Sequence, residues 1–190
     1  MSAPRILPAR LRPAACSVLL ALLAACGGDD RQAASAPPPA AITVDAVGHY
    51  CGMALNEHVG PKGQIFLDGR DTPVWFSTVK QVFAYTVLPE EPKTIRAIYV
   101  NDMAGAERGA APDPAAWIDA RRAYYVIEGG YIGGMGAEDA LPFGQRDQAE
   151  AFAQALGGRV VAFHDVPESY IFSYDAPPPA PAPDSSGSTP

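Results

Sequence analysis

Cysteine, histidine and tryptophan are scarce in this chain: three, three and two among 190 residues. No two cysteines stand as C-x-x-C, which removes a thiol–disulfide oxidoreductase with its attacking and resolving pair. The longest apolar run, "PAACSVLLALLAAC" from Pro13 to Cys26, falls short of the roughly 20 residues that a membrane-spanning helix needs. Basic residues are also few, 14 Lys and Arg against 21 Asp and Glu. That deficit argues against binding nucleic acid, whose phosphates demand Lys and Arg. It suits solubility, and capture of cations or of a basic partner.

The N-terminus carries Arg5, Arg10 and Arg12 with no acidic residue, then the short apolar run. A basic segment, a short apolar segment and small residues before a cut site describe an export signal. The cut site Leu23-Ala24-Ala25-Cys26 resembles the bacterial lipobox. It implies cleavage before Cys26 and diacylation of that cysteine, a lipid anchor on the periplasmic side of a bacterial membrane. Gly27 in the next position favours the outer membrane. Cleavage would remove Cys16 and the three arginines, leaving 11 basic against 21 acidic residues, a net charge of −10. Cys51 is then the one free thiol.

After the signal, residues 1–25, the stretch 26–41 has the polar, Ala/Pro composition of a tether, and "APPPAPAPDSSGSTP" from 176 to 190 is equally unable to form a core. Residues 42–175 remain as a single folded domain. Within it, "GQIFLDGRDTPVWFS" reads as two strands about an Asp-Gly turn, "TVKQVFAYTVL" has helical spacing, and "TIRAIYVNDM" is a β-branched strand. The second half offers "RAYYVIEGG", a glycine-rich turn into "GGMGAEDALPFG", a helix in "RDQAEAFAQALGG" ending at Gly157-Gly158, and the strand "RVVAFHDV". The expectation is an α+β fold of two ββαβ units, about 48–108 and 115–167, with helices packed on small, mostly antiparallel sheets.

"HYCGMALNEHVGPKGQIF", His49 to Phe66, concentrates what the rest of the chain lacks. A lone Cys51 has a bland reading as a small buried hydrophobe. Against it, Met53 lies two residues on, so that both sulfurs share a side if the segment is extended. Gly52 between them leaves the backbone free to curl, and His58 follows in a loop-like stretch. Thiolate, thioether and imidazole form a soft, low-coordinate set of the kind that selects Cu(I). Zinc asks for four Cys or His ligands, and calcium or magnesium for oxygens. Met103 in "NDMAG" and Met135 in "GGMGA" stand outside apolar runs and are candidate additional ligands. His49 is a rival ligand; His164 takes a surface or capping role.

"YCGM", "HVGPKGQIFL", "DGRDTPVWFSTVKQVFAY", "AIYVNDM", "WIDARRAYYV", "GGMGAEDALPF" and "GGRVVAF" together resemble the NosL family, copper-binding lipoproteins that assist maturation of nitrous oxide reductase. The resemblance covers residues 48–165. It implies a fold like the organomercurial lyase core. It also implies a Cu(I) chaperone that passes metal through a membrane-associated ABC-type complex to nitrous oxide reductase. Carried over residue by residue, Cys51 and Met53 are the sulfur ligands, and His58 is the choice for the third.

Other readings are weaker. "GGYIGGMG" lacks the Gly-Lys-Ser/Thr ending of a phosphate loop and opens no helix. An organomercurial-lyase-like enzyme would use a pair of cysteines with a carboxylate, and the mature chain has one cysteine. A structural lipoprotein adaptor would leave Cys-Gly-Met unexplained.

Overall fold

A computed structural model of the protein describes residues 36–106 and 111–173. The signal segment, Cys26, most of the tether and the Pro/Ser-rich tail lie outside the described residues. Among the described residues no helix is long and apolar enough to cross a membrane.

The first sheet is built on β1 (Gly63–Leu67), buried along its whole length. It pairs antiparallel with β2 (Val74–Phe76) on one side and with β3 (Ile95–Asn101) on the other. Between β2 and β3 runs helix α1 (Val79–Val87), whose first turn is capped by Thr78 Oγ1 accepting from Gln81 N. Val79, Val82 and Phe83 turn inward with helical spacing. A side chain at Gly63 would collide with Val82, its Cβ falling 2.1 Å from Cγ2. Helix and sheet therefore meet at a distance that only glycine permits.

The order strand, strand, helix, strand then recurs. Strand β5 (Tyr124–Ile127) is the centre of a second antiparallel sheet, with β6 (Leu141–Phe143) and β7 (Arg159–Ala162) on its flanks. Helix α2 (Arg146–Leu156) connects them and stops at Gly157, which sits at φ 90° where a side chain would strain the backbone. The result is a mixed α/β fold with small antiparallel sheets. Strand β4 (Trp117–Asp119) was not expected. It extends the first sheet beyond β3, giving the order β2-β1-β3-β4. A final short helix, α3 (Glu168–Ile171), contributes Tyr170 and Ile171 to the main core with Phe83, Tyr125 and Phe163.

Part of the expected tether is bonded to the domain. Gln64 and Tyr99 are cross-strand neighbours on β1 and β3. The Gln64 amide accepts from Ala40 N at 2.8 Å and donates to Ala40 O at 3.1 Å, and the Tyr99 hydroxyl donates to Pro37 O at 2.7 Å. A buried Gln satisfied by a peptide group fixes that segment to the sheet.

Candidate metal centre

The Cys51 segment is a tight hairpin rather than an extended strand. Val47 and Ala54 form an antiparallel bridge, Gly48 N donates to Met53 O at 2.9 Å, and Gly52 N donates to Gly48 O at 2.8 Å. Gly52 closes the turn at φ 65°, a conformation glycine adopts without a Cβ penalty. The backbone between Cys51 and Met53 thus curls at Gly52 instead of running extended. The hairpin is fastened to the exposed edge of β2 by a Gly48–Trp75 bridge and by His49 N donating to Trp75 O at 2.8 Å.

This fastening points Cys51 at the start of α1. The half-buried Sγ lies 3.3 Å from Ser77 Oγ, in the residue between β2 and the Thr78 cap. Gly48 leaves room for it: a Cβ there would sit 2.5 Å from Sγ and 3.2 Å from Ser77 Oγ. Met53, on the same hairpin, is 40% exposed. Ser77 in turn is held by Gln81, whose Oε1 is 3.2 Å from both Ser77 N and Ser77 Oγ.

His58 follows the short turn Leu55–Glu57 and meets the second half of the fold. Its Nδ1 is 3.1 Å from Gly134 O. A carbonyl only accepts, so Nδ1 carries the proton and Nε2 presents its lone pair. Nε2 is buried and has no hydrogen-bond partner among the described residues. A ring held by Nδ1–H to a backbone carbonyl, with Nε2 left as the donor atom, is the arrangement metal-binding histidines use. Gly134 fits against this segment so closely that a Cβ would stand 2.7 Å from His58 Cβ and 2.7 Å from Val59 O. The next residue, Met135, is 38% exposed and lines a cleft with Thr78, Lys80 and Gln81. The glycine-rich loop thus brings Met135 towards the same helix N-terminus that Cys51 faces.

Met103 is a correction. It stands outside any apolar run of the sequence and was a candidate additional ligand, yet it is 1% exposed and packs with Val126, Leu141, Phe143 and Ala149. Met103 N donates to Pro142 O, which turns the side chain under β6. It fills core space and does not face the hairpin. His49, the rival ligand, is engaged elsewhere: its Nε2 is 3.1 Å from Glu91 Oε1, which also accepts from the Tyr50 hydroxyl at 2.8 Å. Burial and the Glu91 carboxylate push the Tyr50 phenol well above its usual range. His164 is exposed in a short turn, its ring edge-on to Phe163.

Three residues near the centre were not anticipated. Ser77 and Gln81 are described above. The third, Asp139, comes from the second half and caps α1 of the first. It is fully buried and accepts from Val79 N at 3.1 Å, Lys80 N at 2.8 Å and Ala140 N at 2.9 Å. Burial raises its carboxyl to about 6, opposed by those same amides. Nearby Lys62, whose ammonium donates to Gly60 O, is lowered by burial to about 8, and the Asp139 charge offsets part of that. Among the described residues no cluster of three or more His, Cys, Asp or Glu is placed to hold a metal.

A family model described as NosL matches residues 39–171. The copper-binding lipoprotein NosL of Achromobacter cycloclastes is 45% identical over 135 residues, 70% of this chain and 69% of that protein. Its counterpart in Stutzerimonas stutzeri is 34% identical over 123 residues, 65% of this chain and 63% of that protein. The crystal structure of the copper chaperone NosL from Shewanella denitrificans matches with a TM-score of 0.64 at 30% identity, covering 70% of this chain and 99% of that one. The family match runs through the hairpin, both sheets and the last short helix, and on that extent the chain belongs to the NosL family.

Proposed function

We propose that this protein is a Cu(I) metallochaperone with no catalytic cycle, exported and anchored through lipid on Cys26, with the outer membrane as its expected address. Cys51 as thiolate carries most of the affinity, since a charged soft donor stabilises Cu(I) more than neutral sulfur or nitrogen. Met53 and His58 complete a trigonal set, with Met135 as the alternative third donor. The observation that carries this reading is the orphaned, lone-pair-bearing Nε2 of His58 in the segment that follows the Cys51–Met53 hairpin. The names of the Achromobacter and Shewanella relatives, one a copper-binding lipoprotein and the other a copper chaperone, support the cargo assignment.

The recipient in this proposal is nitrous oxide reductase, reached through a membrane-associated ABC-type complex. Half-exposed Met53 suits such a handover, because a recipient's ligand must attack while the donor still holds the ion. The two ββαβ units are read as akin to the organomercurial lyase core without its chemistry, for which a single thiol does not suffice.

Anaerobic Cu(I) titration of the mature chain against a chromophoric chelator tests the assignment. One-to-one binding is expected, mostly lost in Cys51→Ser, weakened less in Met53→Leu and unchanged in His164→Ala. Equal affinity of Cys51→Ser and wild type would leave Cys51 as a buried hydrophobe and favour a structural adaptor.

A further inference from the structure

We propose that Ser77 is a positioning residue for the copper-bound thiolate, and that its hydroxyl changes acceptor when the metal arrives. This rests on Cys51 being the copper ligand. The argument is a count of protons. Ser77 Oγ has one hydrogen and two neighbours, Cys51 Sγ at 3.3 Å and Gln81 Oε1 at 3.2 Å. An amide oxygen only accepts, so without metal the Ser77 proton goes to Gln81 and the Cys51 thiol donates to Ser77 Oγ.

Cu(I) binding replaces the S–H bond with an S–Cu bond and releases the proton to water. Sγ is then an anionic acceptor facing Ser77 Oγ, and the other polar atom near it, Gly48 O at 4.0 Å, is an acceptor too. The unfavourable pairing is relieved by rotation about the Ser77 Cβ–Oγ bond, which turns the hydroxyl towards sulfur. Gln81 Oε1 is not stranded by this turn, because it keeps the Ser77 backbone N–H at 3.2 Å. Gln81 N stays bonded to Thr78 Oγ1 throughout. The helix start thus holds Ser77 rigidly while leaving its one proton free to be reassigned. Burial of Ser77 keeps water from taking over either role.

Hydrogen bonds to a ligating sulfur tune how strongly it donates to the metal, and those to a charged acceptor are the strong ones. Ser77→Ala is expected to weaken Cu(I) binding by about tenfold and to move the thiolate-to-copper charge-transfer band to lower energy. Gln81→Leu removes the competing acceptor but also the partner of the Ser77 backbone N–H, so it should weaken binding less than Ser77→Ala and leave the band in place. A band that moves only when the hydroxyl is lost is not what loss of local structure gives. Thermal melts of both metal-free variants accompany the titrations, and Ser77→Thr, which keeps the hydroxyl, should restore the band.

If Ser77→Ala keeps both affinity and band while Cys51→Ser abolishes binding, the proposal is overturned and the copper site stands. The same holds if Gln81→Leu weakens binding as much as Ser77→Ala. Full binding by Cys51→Ser overturns the site and this inference together.

Discussion

Replacing Asp139 by alanine tests whether the second half of the fold truly clasps the first. The carboxylate accepts three backbone N–H groups, two at the start of α1 and one in its own loop. Alanine strands all three in a place that Asp139 fills without exposure, at about 1–3 kcal/mol each. Removing a buried carboxylate returns part of that. Its folded pKa of about 6 against an ordinary 3.8 means that burying its charge costs about 3 kcal/mol at neutral pH. The net expectation at pH 7 is a loss of about 3 kcal/mol, or roughly 10 °C in melting temperature for a domain of this size.

The pH dependence has a definite sign. A carboxyl whose folded pKa is raised binds its proton more tightly folded than unfolded, so its contribution is most favourable below pH 4 and declines as pH rises through 6. Wild type carries this decline and Asp139→Ala does not, so the gap between them widens as pH falls from 7 to 4. Lys62 acts in a separate window: its lowered pKa makes stability rise between about pH 8 and 10.5 in both proteins. Urea unfolding followed by tryptophan fluorescence at pH 4, 5.5 and 7 measures the Asp139 gap, and the same unfolding at about pH 8 and 10 measures the Lys62 window. A loss under about 1 kcal/mol at pH 7, or a gap that narrows towards pH 4, would refute the clasp.

Two further substitutions separate packing from the metal centre. Met103→Ala should cost about 2–5 kcal/mol through the cavity it leaves, while Cu(I) affinity in the folded protein stays at the wild-type value; a tenfold drop in affinity would return Met103 to the site. Gly134→Ala places a Cβ within 2.8 Å of the Val59 amide, so the loop must move off His58. A loss of about 1–3 kcal/mol with weaker Cu(I) binding is expected, and unchanged affinity would detach His58 from the centre.

The regular elements were legible because each carries a local signal. Strand β1 carries the apolar run Ile65-Phe66-Leu67, β3 is rich in β-branched residues, an Asp-Gly turn precedes β2, and α2 ends on a glycine pair. What escaped notice depends on distant partners. His58 was singled out as a ligand candidate, but what anchors its ring, the carbonyl of Gly134 76 positions on, was not legible. Asp139 sits in a segment that reads as a glycine-rich turn, and only the amides of α1, 60 residues earlier, explain its burial. Strand β4 has three residues and no alternation, so its pairing with β3 has no sequence signature. Met103 went the other way: it stands outside any apolar run of the sequence, and its burial with Val126, Leu141 and Phe143 comes from packing across the fold.

The bonds from Tyr99 and Gln64 to Pro37 and Ala40 also set a radius of action. With Cys26 in the bilayer as proposed, the stretch from Cys26 to Pro37 can span at most about 40 Å when fully drawn out. A tether loose to residue 41 would add roughly another 14 Å. Under that proposal the domain would patrol a shell about one protein thick above the lipid. An acceptor of copper would then have to bring its own ligands into that shell, and a recipient afloat in the periplasm would be served only when it visits the membrane.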